Sequence, residues 1–167
     1  QVQQTPGRHV QTVAQASLDA WIKYYRQDEN TPNATVSYYT KGSLVALCLD
    51  LTLRAEGHSL DEVMRGLWKR CQAGPMREQD VLDELQALTG RSWHKELQAW
   101  VHSTAELPLA KLLESQGLRV HAEPGQLAQR LGVRAVDSQG AVQIKVVLRG
   151  SAAEQAGLAA GDEWLGI

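Results

Sequence analysis

The sequence predicts a mainly α fold, an antiparallel helical bundle over residues 1–117 followed by a truncated α+β module over residues 118–167. Three observations carry this expectation. From Ser17 to about Gln116, apolar residues recur at spacings of three and four with few interior glycines, the period of amphipathic helices. Beyond Gly117 the texture changes to short β-branched runs separated by glycine, which read as strands and turns. The chain has 167 residues, 43% hydrophobic and 22% charged, so it is long enough to bury a core and has the make-up of a soluble globular protein.

Each element has its own local cause. Ser17 reads as the N-cap of a first helix with Leu18, Trp21, Ile22 and Tyr25 on one face, before the polar stretch 27–33 and Pro32 break it. A second helix is expected over about residues 40–54. There Leu44, Val45, Leu47, Cys48, Leu49, Leu51 and Leu53 leave little polar circumference, so it should be nearly surrounded by protein. Ser59 and Glu62 form a capping-box pair ahead of Val63, Met64, Leu67 and Trp68, read as one buried stripe, and Gly74-Pro75 closes that helix. A helix from near Arg77 carries Val81, Leu82, Leu85 and Leu88 to a stop at Gly90, and the next carries Trp93, Leu97, Trp100 and Val101. Residues 107–113, with Pro108 near the start, add a short last helix that Gly117 ends.

The second region should begin with strands over 118–121, 133–136 and 141–148, the last two joined by a turn at 137–140. Ser151 caps a short helix over 152–156, which Gly157 stops. Residues 161–167 read as a turn feeding a strand that ends as it forms, and the chain opens without Met or an apolar leader, so both ends read as cuts.

Charge and motif content exclude several function classes. With 17 basic and 19 acidic residues the net charge is -2, which supplies no field for nucleic acid or anionic lipid, and there is no apolar run of membrane-spanning length. Cys48 and Cys71 are too few and too far apart for a metal knuckle or a disulfide framework, and are read as free thiols. His9, His58, His94, His102 and His121 are scattered, with no His-Glu-X-X-His on a helix. His94 with Glu96, and Asp80 with Asp83 and Glu84, read as solvated helix faces. Asn33-Ala34-Thr35 satisfies the glycosylation pattern, which is common by chance and is set aside.

Ser151-Ala-Ala-Glu-Gln-Ala-Gly-Leu-Ala-Ala-Gly-Asp162, after a strand ending at Leu148, resembles the most recognisable stretch of bacterial PDZ domains, with Ala152 where that family usually has Pro. The resemblance implies a peptide that adds as a strand, its terminal carboxylate on a glycine loop at Leu131-Gly132-Val133, with Arg134, Ala135 and Val136 as the pairing edge. In that family the helix forming the other wall of the groove follows the strand that begins at Trp164, beyond this sequence. A plainer reading makes 131–136 simply a first strand.

Ala16-Ser-Leu-Asp-Ala-Trp21, Glu29-Asn-Thr-Pro32 and Ser37-Tyr-Tyr-Thr-Lys-Gly-Ser-Leu-Val45 resemble the glycyl aminopeptidase family, in which a thermolysin-like zinc domain (a gluzincin) precedes a PDZ domain. The resemblance spans nearly the whole chain and implies the C-terminal helical part of the catalytic domain. By that resemblance Tyr39 donates a hydrogen bond to the oxyanion formed when zinc-bound water attacks the scissile carbonyl; Tyr38 is the alternative, and Lys41 and Gly42 shape the helix start. Zinc belongs to the parent enzyme, and none is expected to bind this segment. The implied partners are a peptide substrate or peptide C-terminus and the upstream catalytic domain, with no nucleic acid and no membrane. The compartment, cytoplasmic or periplasmic, is left open. The competing reading is a non-catalytic helical scaffold carrying a peptide-binding module.

Overall fold

The structure is a computed structural model that describes residues 2–121, 123, 125–138 and 140–165, and of Ser138 the backbone only. It is mainly helical, with a small three-stranded antiparallel sheet near the C-terminus. Two compact units do not follow chain order: Gln1–Tyr38 joins Ala122–Ile167, and Tyr39–His121 forms the other.

In the first unit, a 3-10 turn at Pro6–His9 leads to α1, Val13–Leu18. The cap of α1 is Thr12 rather than Ser17: Thr12 Oγ1 accepts from the Gln15 N–H at 3.1 Å, and Gln15 Oε1 accepts from the Thr12 N–H at 3.0 Å. This reciprocal pair satisfies two helix-end donors, and Ser17 falls inside the helix. A π-helical turn, Ala20–Tyr24, continues from α1. The apolar face expected here exists and is bare: Leu18, Trp21, Ile22 and Tyr25 are 83%, 84%, 72% and 56% exposed.

The segment that follows is held by backbone proximity. Buried Gly7 sits where a Cβ would come within 2.0 Å of the Thr35 carbonyl oxygen. Buried Gln11 accepts the Val36 N–H on its side-chain oxygen at 3.2 Å. Pro32 begins a one-turn helix rather than breaking one, as it stands near the start of α2, Thr31–Ala34, where a missing N–H costs nothing.

The same unit holds the sheet. α8, Leu127–Leu131, lies in a stretch where the sequence signalled no helix, and Gly132 caps it at φ 79°. β1, Val133–Ser138, and β2, Ala141–Val147, form a hairpin, and β3, Glu163–Trp164, pairs with Val142 and Gln143 at the far side of β2. The expected turn at 137–140 is tighter, because β1 runs on to pair Ser138 with Ala141; Gln139 lies outside the described residues, as do Gly166 and Ile167 of the expected last strand. No strand forms over 118–121: a β-rich stretch without a pairing partner stays irregular, with Leu118 and Val120 exposed. Val133, Ile144 and Ala153 form the core of the module with Ala128, Leu131, Val147 and Trp164 against them, and α9, Ala152–Gln155, is capped by Ser151 as expected.

The second unit holds α3, Tyr38–Ala55, from its second residue on, with α4, Leu60–Cys71, α5, Glu78–Thr89, α6, His94–Trp100, and α7, Leu109–Ser115. Ser59 caps α4, and Gly90 ends α5 at φ 73°. Leu53, Val63, Leu67, Leu82, Leu85, Trp93 and Leu97 build the core, each large aliphatic contributing about 1.5–3 kcal/mol when fully buried. Two expectations fail. Met64 and Trp68 are exposed, so the buried stripe of α4 is only Val63 and Leu67; Leu47 is 38% exposed, so α3 is not fully enclosed. A 3.6-residue period marks an apolar face without saying whether this chain covers it. Arg91 ties the loop before α6, reaching Glu56 at 2.9 Å and Glu96 at 2.6 Å and stacking 3.8 Å over Trp93. Burial disfavours its charge, but the two carboxylates outweigh this and raise its pKa.

Candidate functional site

The stretch from Ser37 to Gly42 places two tyrosines at the start of α3, and their surroundings separate them. Tyr38 stacks edge-on against Tyr24, with ring centroids 5.3 Å apart, while Tyr24 stacks on Tyr25 and its hydroxyl meets Ser37 Oγ at 3.4 Å. Tyr39 is 59% exposed on the first turn. Tyr38 is thus part of an aromatic packing cluster, whereas Tyr39 is the more exposed of the two residues. A phenol, ordinarily protonated near neutral pH, can donate to a developing negative charge.

Lys41 is buried at 3% exposure one turn into the helix. Gly42 is unlike the other glycines of close packing: a Cβ there would meet nothing within 4 Å. On the opposite side of α3, burial pushes the Cys48 thiol up to about 11, leaving it protonated and inert.

At the sheet, the glycine loop is only partly as expected. Leu131 is the last residue of α8 rather than a loop residue, and the Gly132 N–H is occupied, donating to the Ala128 and Gln129 carbonyls at 3.0 and 3.2 Å. The Gly132 carbonyl accepts the Leu148 N–H at 2.8 Å. Val133 is buried, while Arg134 is exposed on β1, the edge strand of the sheet. Gln4, Gln129, Val133, Arg134 and Leu148 line a hollow of about 460 Å³ beside that edge.

One residue set aside in the sequence returns here. Asn33 is 7% exposed and turns both ends of its carboxamide to the end of β2: Nδ2 donates to the Val147 carbonyl at 2.9 Å, and also to Asn30 Oδ1 at 3.4 Å, while Oδ1 accepts the Arg149 N–H at 2.8 Å. The glycosylation pattern around Asn33 concealed this role, and nothing local could have signalled partners more than a hundred positions away.

Among the described residues, no group of three or more His, Cys, Asp or Glu side chains could hold a metal ion. His102 instead meets Glu78 at 2.7 Å. The donor set does not fit a zinc centre. No described helix is long and apolar enough to cross a membrane.

The chain is similar to known proteins in part of its sequence and in its fold. Residues 1–45, which include Tyr38, Tyr39, Lys41 and Gly42, match the family model for M61 glycyl aminopeptidase. No curated protein matches the chain in sequence. The crystal structure of an aminopeptidase N family protein from Idiomarina loihiensis matches with a TM-score of 0.86 and 31% identity, over 97% of this chain and 31% of that one. The family match is confined to residues 1–45, and the chain as a whole spans about a third of the length of the larger aminopeptidase-family protein whose fold it shares.

Proposed function

We propose that the chain is the C-terminal helical part of a glycyl aminopeptidase-type catalytic domain, over residues 1–117, joined to the first part of a PDZ domain over residues 118–167. In this reading Tyr39 stabilises the oxyanion formed at a scissile peptide carbonyl. The observation that supports it best is that Tyr39 lies in the family-matched segment, on the first turn of α3 and more than half exposed. A hydrogen bond aimed at charge that develops only in the transition state lowers the barrier without tightening substrate binding. Zinc belongs to the parent enzyme and would be held by residues outside this chain. The products are small N-terminal residues, glycine above all.

The bare face of Leu18, Trp21, Ile22 and Tyr25 supports packing on the rest of such a catalytic domain, since apolar clusters of this size are seldom left in water. The β1 edge and the hollow beside Val133 and Arg134 support a peptide C-terminus as the ligand of the sheet module.

In the full-length protein, Tyr39→Phe should lower kcat for a glycyl chromogenic amide by roughly 10²–10³ with KM little changed. Undiminished turnover in that variant, or hydrolysis that survives excess chelator, would sink the assignment. A second reading, a non-catalytic helical scaffold with a peptide-binding module, draws on the lack of a metal-ligand cluster among the described residues; it predicts no hydrolysis from the full-length protein.

A further inference from the structure

We infer that Asn33 is a positioning residue for the peptide-binding edge of the sheet, an inference that rests on the peptide-binding reading of β1. β1 has one neighbouring strand, β2, so its fitness to receive a peptide depends on how well β2 is held. The hairpin end of β2 is braced by β3, which pairs with Val142 and Gln143, and by backbone bonds of Ile144 with Gly161 and Asp162 at 2.8 Å each. The other end, beside Gly132, lies beyond the reach of β3. There the register pairs Val133 with Val147, and an irregularity between Arg134 and Ala135 interrupts the ladder before it regains Ile144.

Asn33 acts at this end. Its carboxamide grips the peptide groups on both sides of Leu148, at Val147 and Arg149, and Leu148 itself donates the N–H that holds the Gly132 carbonyl. Gly132 has no freedom to compensate by another route: it is fixed at φ 79°, and a Cβ there would lie 2.3 Å from that of Ser151. Removing the carboxamide leaves one carbonyl and one N–H of the β2 end without their partner and lets the Val133–Val147 pair fray, while the braced end stays closed. A peptide adding along β1 meets that frayed end first.

The test uses the full-length protein as wild type, Asn33→Ala and Asn33→Asp. The probes are a fluorescein-labelled pool of peptides with an apolar last residue and a free C-terminal carboxylate, and the same pool amidated. Amide hydrogen exchange is measured in parallel. Wild type should bind the free-acid pool at least tenfold more tightly than the amide. Asn33→Ala should lose at least tenfold of that affinity, with exchange at Gly132, Val133 and Leu148 accelerated at least tenfold and Ile144 unchanged. Should Asn33→Ala fail to fold, Asn33→Asp, which keeps the acceptor for Arg149 and loses the donor to Val147, carries the same comparison. Equal peptide affinity in the variants overturns the positioning role and leaves the peptide reading standing. A wild type that ignores both pools overturns the peptide reading and with it this role, whereas exchange that rises evenly across the sheet shows Asn33 to be a general staple and also overturns it.

Discussion

Gly7→Ala adds one methyl group where the fold has no room for it. The new Cβ would stand 2.0 Å from the Thr35 carbonyl oxygen and 2.6 Å from that residue's carbonyl carbon and nitrogen, all backbone atoms. Thr35 is itself pinned: its N–H and its hydroxyl both donate to the Thr31 carbonyl, at 2.9 and 3.0 Å, and the next N–H, of Val36, goes to Gln11. Ordinary contact begins at 3.4 Å, so the two segments must part by about 1.4 Å, which strains the Val36-to-Gln11 bond that joins them. Overpacking of this kind costs about 1–3 kcal/mol. Gly7 has no positive φ, so alanine recovers about 0.4–1 kcal/mol by restricting the unfolded chain. The net loss is about 1–2 kcal/mol, a fall in Tm of about 2–8 °C for a chain of this size. Gly66→Ala is the control, because the three atoms nearest its Cβ would all belong to the Glu84 side chain, Oε1 at 1.8 Å first, and that side chain can swing away from its 3.2 Å contact with Arg70. With the gain in helix propensity this variant should be neutral or slightly stabilised. Circular dichroism melts of both decide the matter: Gly7→Ala melting with wild type, or Gly66→Ala falling as far, would refute the steric reasoning.

Three further predictions follow from the same reading of contacts. Gly42→Ala should stabilise the chain by about 0.5–1 kcal/mol in urea unfolding, since a helix-interior glycine there touches nothing; a loss would show that something does sit against it. Burial raises the Asp50 pKa, but the Arg54 guanidinium and the Leu60 N–H outweigh it and hold the carboxyl below its usual 3.8. The stability this confers is therefore complete above that pH and lost as pH falls through the lower folded value, so the gap between wild type and Asp50→Asn should be full at neutrality and close under acid; a gap unchanged with pH would exclude the charge as its source. Cys71 should react readily with an aromatic disulfide reagent, whereas Cys48, fully buried with its thiol raised to about 11, should react only as the chain unfolds.

What the sequence disclosed and what it withheld divide along physical lines. Caps and stops are legible because each is written within four residues: Ser59, Gly90 and Ser151 act as read, although Glu62 accepts the Ser59 hydroxyl rather than the N–H that a capping box would give it. Thr12 was passed over for Ser17 although Gln15 stood three residues on, because the apolar period seemed to begin later. Trp68 and Met64 were placed inside on periodicity, which fixes a face and not its cover. The β-rich run at 118–121 has propensity and no partner, and α8 is too short to leave a period. At the candidate sites, a local motif points to Tyr39 with Tyr38 as the alternative, and the motif carries no sign that Tyr38 packs on Tyr24. Asn33 could not be read at all, because its partners, Val147 and Arg149, are assembled by the fold.

The uncovered face of Leu18, Trp21, Ile22 and Tyr25 also governs how the chain behaves as a solute. A net charge of -2 provides little repulsion between copies to offset contact through such a face. Because apolar attraction strengthens on warming from the cold and in sulfate-type salts, solutions of the chain should cloud at lower ammonium sulfate as temperature rises. Chilled, dilute, low-salt buffer is the condition in which its single copies persist longest.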